Sequence, residues 1–545
     1  MTRSTSRLRD YLLSAWRTDP AERKLVRKID FFILTFCCLS YFLNYLDRSN
    51  LANAYVSGMK EDLDFHGDQL NQINTCFTVG YVVGQIPSNL SLHYVKPRHF
   101  FPAMMVVWAA LTMVTASTHS PQAIMAIRFF QGVAEASTFV GTHYILGSWY
   151  TERELGKRSG IFTASGLAGT MIGGFIQSGI YTSMDGRHGL RGWRWLFIVD
   201  GVITLPVAIY GFFLFPDTPA TTTAPYLSPS ERELAVLRLK PHSHQHHHPS
   251  TSTPRESESE DTTSIESTPK PSPLTWTFAK AVLTSWEWWG FIVLWIIAGE
   301  TESFSSNSLL ALYMKTAPSS PSTTTRTRTQ YTVPQLNNYP TGVPAVGIIS
   351  TLFWAALTDF LGGKRWMVGY FIGVTGVATS GMVLAARGLM DHHPGRATAM
   401  VFGAYYWAGS VYACQATFFA WANDVCTRRK REPVFRSVVL AGMNLGSNAV
   451  NAWWSVVFYG ASMAPWFEKG MYAMIATSVA LVMWTAGLSY VSSREERRNR
   501  RDGGRRPPGE GAGKVSHSNR ERALGASDER PPGIDTWPQK ASESR

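Results

Sequence analysis

Four charged residues lie in stretches of the chain that are otherwise uncharged. Asp47 and Arg48 are adjacent and follow the uncharged run 31–46, and Arg128 and Glu135 lie seven residues apart in another apolar stretch. Seven residues make nearly two helical turns, so Arg128 and Glu135 project from one helix face, roughly 10 Å apart along the axis. Away from water, an arginine can hold a carboxylate through two hydrogen bonds, and an acid can exchange a proton. These residues could therefore couple the binding of an organic anion to that of a proton.

An inert pair of buried salt bridges that locks two helices is the alternative explanation. A charged side chain at the centre of a bilayer costs at least about 2.5 kcal/mol on insertion scales. Buried ion pairs also stabilise less than apolar packing does, which favours a functional cluster. We predict that Arg48 holds the substrate anion, that Asp47 and Glu135 carry protons, and that Arg128 holds these acids in register.

Polar residues in the second half of the chain are further candidates for substrate binding. Glu300 lies near the middle of an apolar stretch, and Tyr405 lies in a later one. Asn444, Asn448 and Asn451 are spaced by four and three residues, which places them on one stripe of a helix. Such a stripe could bind the hydroxyl and amide groups of a substrate, or it could join neighbouring helices by hydrogen bonds.

The composition indicates a membrane protein. Of the 545 residues only 17% are charged, whereas 13% are aromatic and 19 are tryptophan, a residue enriched at membrane interfaces. The mean hydropathy of -0.07 is low because three polar segments are averaged with apolar spans. The net charge of +12 comes from tails and short loops, which fits membrane topology better than nucleic-acid binding. The five cysteines have no metal or redox spacing, so no metal and no cofactor is expected.

Apolar runs long enough to cross about 30 Å of hydrocarbon predict an all-α membrane protein with twelve transmembrane helices. The first six fall at 29–55, 69–92, 100–150 (two helices broken at 118–121), 159–184 and 195–215. The second six fall at 286–313, 339–361, 366–386, 397–421, 434–463 and 470–492. Two sets of six around one long polar segment are typical of an internally duplicated transporter. The predicted domains are 1–28, a six-helix bundle at 29–216, a linker at 217–285, a second bundle at 286–492, and a tail at 493–545.

The excess of lysine and arginine next to alternate spans predicts that both termini and the linker are cytoplasmic. Within the linker, residues 221–273 are rich in Ser, Thr, Pro and Glu and are expected not to fold. The histidine tract 242–248 could bind a metal or could be part of a flexible linker. The tail after residue 493 is likewise predicted to be disordered.

Several motifs together resemble those of fungal members of the anion:cation symporter family of the major facilitator superfamily. They are Asn44-Tyr-Leu-Asp47-Arg48-Ser-Asn50, Pro87-Ser-Asn-Leu with Pro97-Arg98, Arg128-Phe-Phe-Gln-Gly-Val-Ala-Glu135, Gly192-Trp-Arg-Trp-Leu-Phe and Pro216-Asp-Thr-Pro219. The resemblance implies the two six-helix halves of that fold. It also implies substrate and proton roles for Asp47, Arg48, Arg128 and Glu135. We add Asn44 and Tyr45, from the same motif as Asp47, as expected substrate contacts.

The loop motif of the superfamily, a glycine followed by an acid and basic residues, departs from the usual pattern in the first half. After the second span Gly84 leads to Lys96 and Arg98 without the acid. The counterpart after the eighth span is intact, with Asp359 and Arg365. We therefore predict that Asp359 and Arg365 form the gating latch.

The stretches 335–342 and 464–470 look similar to those of vitamin permeases, pantothenate transporters in particular. The resemblance implies a monomeric, proton-coupled importer of a small organic carboxylate in the lipid bilayer of the plasma membrane. Allantoate, biotin and nicotinate remain alternative substrates, and a nutrient receptor that signals through its linker and tail remains an alternative function. An enzyme is not expected, because no catalytic triad, metal set or phosphate loop is present in the sequence.

Overall fold

The computed structural model of the protein describes residues 20–239, 276–306, 308–316, 331–361, 363–429, 431 and 433–503. Within these ranges the regular structure is helical, without a β-strand. The described residues up to Tyr490 form one compact unit, and those from Val491 to Gly503 belong to a second unit. The latter are helical, which corrects the expectation of disorder for residues 494–503, and the rest of the tail lies outside the described residues.

Twelve long helices make up most of the described structure, and six of them belong to the first half. These are α1 (Pro20–Asp62), α2 (Gln69–Tyr94), α3 (Pro97–Thr115), α4 (Pro121–Glu135 continued by Ser137–Trp149), α5 (Glu152–Met184) and α6 (Gly192–Leu214). The predicted spans lie within these helices, so the six-helix first half is confirmed.

The second half repeats the arrangement. Its helices are α7 (Trp286–Ser306 and Leu309–Thr316), α8 (Gly342–Phe360), α9 (Trp366–Leu389), α10 (Pro394–Ala408 and Ala413–Arg428, joined by the 3₁₀ turn Gly409–Tyr412), α11 (Pro433–Phe458) and α12 (Glu468–Gly503). Successive helices run in opposite directions. We call the end of the bundle at which α1 begins the terminal face, and the other end the opposite face.

Only some of these helices are apolar along their whole length. In the described part of the chain, six helices are long and apolar enough to cross a membrane by themselves, and a bent pair that includes α7 would make seven. Helix α4 falls short because it is divided into pieces of 15 and 13 residues, and α11 falls short because it carries polar and charged side chains. In a multi-pass protein such side chains can face the interior of the bundle rather than lipid.

The helix ends follow from local sequence. Ser120 precedes α4, and its side chain accepts a hydrogen bond from the backbone N–H of Ala123, while Pro121 occupies the first helical turn. Thr151 and Glu154 form a capping box at the start of α5. Near the end of α1 the helix is interrupted at Gly58, whose φ of +109° is readily adopted only by glycine.

Close contact between α2 and α4 sets the register of the charged residues. A Cβ atom at Gly80 would lie 2.0 Å from the backbone oxygen of Phe129, and one at Gly132 would lie 2.1 Å from that of Phe77. Both positions therefore require glycine, and the helices approach closely enough for their backbones to touch. This packing explains the presence of glycine at both positions.

Each half has its own apolar core, and a third cluster spans both halves. Within the halves, α1 packs against α5, α2 against α4, α3 against α6, α7 against α11, and α9 against α10. Between the halves, α2 packs against α11 and α5 packs against α8. The cluster that includes Leu51, Leu70, Leu310, Tyr405 and Tyr459 draws residues from both halves, toward the opposite face.

The first part of the linker is folded, which corrects the expectation for residues 221–239. A helix covers Pro229–Leu237 and begins with a capping box between Ser228 and Glu231. Leu227 and Ala235 are buried, with 2% and 1% of their surface exposed, so this polar segment buries a few well-placed apolar side chains. The rest of the predicted disordered segment, including the histidine tract 242–248, lies outside the described residues.

Candidate substrate site

Both halves contribute to a cavity of about 270 Å³ within the bundle. Tyr45, Arg48 and Arg128 line it from the first half. The second half contributes Glu302, Gln415 and the asparagine stripe 444, 448 and 451. An inter-half cavity with polar groups from both sides is where a transporter of duplicated design binds its substrate.

Asp47 and Arg128 form one of two buried ion pairs that the fold brings together. Nη1 of Arg128 donates to Oδ2 of Asp47 at 3.1 Å, and Nη2 donates to the backbone oxygen of Asp47 at 3.3 Å. Thr112 donates to Oδ1 of Asp47 at 3.0 Å, and Gln131 donates to Oδ2. Both carboxylate oxygens of Asp47 are thus occupied, so the ionised form is well satisfied. Neither Thr112 nor Gln131 was singled out from the sequence.

Arg48 and Glu135 form the second pair. Nε of Arg48 donates to Oε2 of Glu135 at 3.3 Å, and Nδ2 of Asn44 donates to the same oxygen at 2.6 Å. Within the described part of the chain, Oε1 of Glu135 has no hydrogen-bond partner although it is fully buried. This carboxylate is therefore less completely satisfied than that of Asp47.

The guanidinium of Arg48 is directed toward the cavity. Its carbon Cζ lies 4.9, 5.0 and 5.5 Å from the ring centroids of Phe77, Tyr81 and Tyr45. Aromatic faces at such distances stabilise a cation while limiting its contact with water. Its side chain is 30% exposed, and no hydrogen bond from Nη1 or Nη2 to another described residue is found. Two donors are thus available to an anion in the cavity.

A third acid, Asp200 of α6, adjoins this cluster. Asn50 donates to Oδ2 of Asp200 at 2.8 Å, whereas Oδ1 of Asp200 is buried without a hydrogen-bond partner among the described residues. Arg194, which lies in the same helix, has other partners. Arg194 donates to two backbone oxygens at the end of α3 and to Asp62, because it lies a turn and a half from Asp200 near the opposite face.

Three predicted substrate contacts do not line the cavity. Asn44 is 1% exposed and is engaged with Glu135, and Tyr405 is 1% exposed and stacks on Phe304. Glu300 is 2% exposed and is absent from the cavity wall, which Glu302 joins instead. Two residues correspond to about 200° of rotation on a helix, so the side chains of Glu300 and Glu302 point in nearly opposite directions.

The second-half wall is rich in amides. Nε2 of Gln415 donates to Oε1 of Glu302 at 2.6 Å. Asn448 donates to the side-chain oxygen of Asn444 at 3.1 Å, and Asn451 donates to Ser303 of α7 at 2.8 Å. The stripe therefore joins helices by hydrogen bonds and also borders the cavity. Glu302 and Gln415 line the cavity but were not selected from the sequence. The helical period of α7 does not show which face of the helix lines the cavity, so it could not distinguish Glu302 from Glu300.

Asp359 and Arg365 meet at the terminal face, away from the cavity. Nη2 of Arg365 donates to Asp359 at 3.1 Å, and Nε donates to Asp424 of α10 at 2.7 Å. One arginine thus joins the end of α8 to α10. The geometry suits the predicted latch and adds Asp424 to it.

Hydrogen bonds close the cavity toward the opposite face. Nδ2 of Asn71 donates to the backbone oxygens of Ser455 and Tyr459 at 3.2 and 3.0 Å, and its Oδ1 accepts from the N–H of Ala461 at 2.9 Å. Asn71 belongs to α2, whereas its partners lie at the end of α11. The side chain satisfies helix-end groups that would otherwise lack partners.

The donor sets of the described residues contain no cluster of three or more His, Cys, Asp or Glu side chains that could hold a metal ion. The charged groups of the site are instead arranged as carboxylate–guanidinium pairs. Such pairs suit the binding of an anion and a proton.

The comparison with known proteins agrees with this architecture. Residues 37–431 match the model of the Major Facilitator Superfamily. Pantothenate transporter liz1 of Schizosaccharomyces pombe is 41% identical over 477 residues, covering 87% of this chain and 84% of that protein. Pantothenate transporter FEN2 of Saccharomyces cerevisiae is 42% identical over 467 residues, covering 84% and 82%.

Solved structures show the same fold at low sequence identity. A bacterial homologue of the human lysosomal transporter Spinster, inward-facing and occupied, superposes with a TM-score of 0.55 at 13% identity, covering 85% of this chain and 96% of that one. The nucleoside transporter NupG, solved as a point mutant, gives 0.51 at 12% identity, covering 84% and 99%. Two six-helix halves, a cavity between them and a matching family model lead to one conclusion: the chain belongs to the major facilitator superfamily.

Proposed function

We propose that this protein is a proton-coupled symporter that imports pantothenate, a small organic carboxylate, by alternating access. The observation that carries the proposal is the guanidinium of Arg48, which faces the inter-half cavity with two donors available. The substrate follows from the two relatives named as pantothenate transporters, each similar over more than four fifths of both chains.

Substrate binding begins with the carboxylate of pantothenate on Nη1 and Nη2 of Arg48. A guanidinium matches the two oxygens of a carboxylate in a planar, bidentate arrangement. The rings of Tyr45, Phe77 and Tyr81 exclude water from this contact, which strengthens it.

Proton coupling is assigned to Glu135. Its Oε1 lacks a partner among the described residues, whereas both oxygens of Asp47 are occupied. A proton on Glu135 weakens its attraction for Arg48 and frees the guanidinium for the substrate. Loss of the proton after substrate release restores the pair. This differs from the initial expectation that Asp47 and Glu135 both carry protons, because Asp47 remains bound to Arg128.

The topology proposed for this function places the terminal face in the cytoplasm of a cell and the protein in the plasma membrane as a monomer. Support comes from basic residues at the terminal face, among them Lys28, Lys96, Arg158, Lys364 and Arg428. Positively charged loops remain on the cytoplasmic side during insertion. Sealing of the opposite face by Asn71 would then correspond to a state closed toward the exterior.

A yeast strain that lacks its own pantothenate uptake tests the proposal. Expression of this chain should restore growth on low pantothenate. Arg48→Ala should reduce uptake at least 100-fold, because the anchor of the carboxylate is lost. Glu135→Gln should abolish accumulation against a gradient while permitting exchange. Arg396→Ala, which removes an exposed arginine of α10, is the matched control and should transport normally.

Other outcomes identify the alternatives. Growth rescue on biotin, nicotinate or allantoate but not on pantothenate would show that the substrate is one of these other anions. Binding of pantothenate by the purified protein without uptake of any of these anions would indicate a receptor. Accumulation by Glu135→Gln equal to that of the wild type would refute the assignment of the proton.

A further inference from the structure

The cavity carries opposite charges on its two sides. Three charged residues line it in the described part of the chain: Arg48, Arg128 and Glu302. Arg128 is bound to Asp47, so Arg48 remains as the available cation in the first half and Glu302 as the acid in the second. A bound molecule therefore meets a hydrogen-bond donor at one end and an acceptor at the other.

Glu302 has partners that position it without neutralising it. Oε1 accepts from Nε2 of Gln415 at 2.6 Å, and Oε2 accepts from Sγ of Cys414 at 3.5 Å. No ion pair to Glu302 is found among the described residues, and it is 7% exposed. A carboxylate oxygen has room for two hydrogen bonds, so each oxygen of Glu302 retains capacity for a ligand donor.

The surroundings of Glu302 suit a neutral, hydroxyl-bearing group better than a second anion. The second-half wall of the cavity includes the amides of Gln415, Asn448 and Asn451 and the hydroxyl of Ser447. Like charges in contact cost several kcal/mol, so Glu302 would repel a carboxylate and accept from a hydroxyl. Pantothenate has its carboxylate at one end and two hydroxyls at the other.

We propose that Glu302 is a specificity-determining residue that accepts hydrogen bonds from the substrate hydroxyls, so that pantothenate lies across the two halves with its carboxylate on Arg48. This inference rests on the proposed function and adds the orientation of the substrate. Because the two contacts belong to different halves, a correctly oriented substrate joins α1 to α7. Substrates that lack either end lose one of the two contacts, and a dicarboxylate is rejected by Glu302.

Three probes applied to the purified full-length protein test the orientation. They are pantothenate, N-(3,3-dimethylbutanoyl)-β-alanine, which lacks both hydroxyls, and pantothenyl alcohol, which lacks the carboxylate. The wild type should bind the deoxy probe about 10- to 100-fold more weakly than pantothenate. Glu302→Gln should weaken the binding of pantothenate by a similar factor but change the binding of the deoxy probe little. The ratio of the two dissociation constants should therefore approach one.

The carboxylate end gives the reciprocal result. Arg48→Gln should abolish the preference for pantothenate over pantothenyl alcohol, and Glu302→Gln should retain that preference. Glu300→Gln, two residues away and outside the cavity wall, is the matched control and should leave both ratios unchanged. Binding of the deoxy probe by Glu302→Gln also shows that the variant is folded.

Each other result contradicts the proposal in a distinct way. If Glu302→Gln weakens the binding of pantothenate and of the deoxy probe equally, or leaves the ratio of their affinities at the wild-type value, Glu302 does not bind the hydroxyls. The proposed function is unaffected by that result. If Glu302→Gln instead alters the preference between pantothenate and pantothenyl alcohol, the orientation is reversed. If the wild type binds none of the three probes, the proposed function itself fails.

Discussion

At the scale of single residues, the site contains more buried acid than buried base. Asp47, Glu135 and Asp200 lie together with only Arg48 and Arg128 as cations among the described residues. Arg48 and Arg128 each pair with one of the other two acids, so an ionised Asp200 would be a buried charge without a cation among the described residues. We therefore predict that Asp200 is protonated, whereas Asp47 is held by Arg128, Gln131 and Thr112.

Substitution of Asp200 checks this assignment. An amide resembles a protonated carboxyl in shape and in donor and acceptor capacity, so Asp200→Asn should keep uptake within about twofold of the wild type. Asp200→Leu should lower the free energy of unfolding by about 1–3 kcal/mol, because Asn50 loses a buried partner. Uptake and the thermal midpoint in detergent measure both effects. Equal loss of uptake in the two variants would show that Asp200 acts as an ion.

At the scale of elements, the linker helix Pro229–Leu237 and the residue after it form ion pairs with α1 and α5 of the first half at the terminal face. Lys28 of α1 donates to Glu231 at 2.7 Å, and Arg238 pairs with Glu154 of α5. Burial acts to raise the pKa of Glu231, but hydrogen bonds from Lys28 and Ser228 outweigh it and hold the pKa below the ordinary value. The linker is therefore attached to the first half before it continues toward the second.

The lowered pKa gives this attachment a pH dependence. Because the pKa of Glu231 is depressed, its ionised form stabilises the attachment of the linker helix at pH values above the ordinary pKa of about 4.3. This contribution is lost as the pH falls through the folded-state pKa. A spin label at Leu237→Cys, where the side chain is 57% exposed, should be immobile at pH 6 and gain mobility below about pH 4.3.

Two further labelled variants separate Glu231 from other acids. Glu231→Gln should be mobile at both pH values, because its charge is absent throughout. Glu233→Gln, an exposed acid of the same helix, should behave like the parent. A pH response that persists in Glu231→Gln would exclude Glu231 as its source.

At the scale of the whole molecule, several hydrogen bonds join the two halves at the opposite face. Asn71 and Thr75 of α2 bind backbone groups at the end of α11, and Lys315 of α7 donates to the backbone oxygen of Tyr55 of α1 at 2.9 Å. Movement of one half against the other must break these contacts to open the cavity at that face. They therefore contribute to the balance between the two access states.

Removal of Asn71 should shift that balance. Asn71→Ala deletes three hydrogen bonds between the halves, each worth about 0.5–1.5 kcal/mol, and so should increase the open population tenfold or more. The labelling rate of Ala311→Cys in the cavity wall, by an impermeant thiol reagent applied at the opposite face, reports this population.

The matched control is Thr182→Val at the same face. Among the described residues, Thr182 hydrogen-bonds only to backbone oxygens of its own helix, at 3.1 and 3.0 Å, so its loss should leave the labelling rate unchanged. An unchanged rate in Asn71→Ala would show that closure depends on the apolar contacts alone.

The helices and the presence of buried charge could be read from the sequence. Runs of apolar residues determine which segments can enter a bilayer, and the 3.6-residue period determined that Arg128 and Glu135 share a face. The cost of charge in an apolar environment likewise identified Asp47 and Arg48 as residues that need partners. These properties are local, so they do not depend on how the helices assemble.

Only the tertiary structure decided which partners meet. It paired Asp47 with Arg128 and Arg48 with Glu135, and it joined Asp200 of α6 to Asn50 of α1. It also directed Glu302 rather than Glu300 into the cavity. The physical reason is that helical periodicity gives the direction of a side chain relative to its own axis only. The rotation and register of neighbouring helices come from long-range packing, such as the contact of Gly132 with α2.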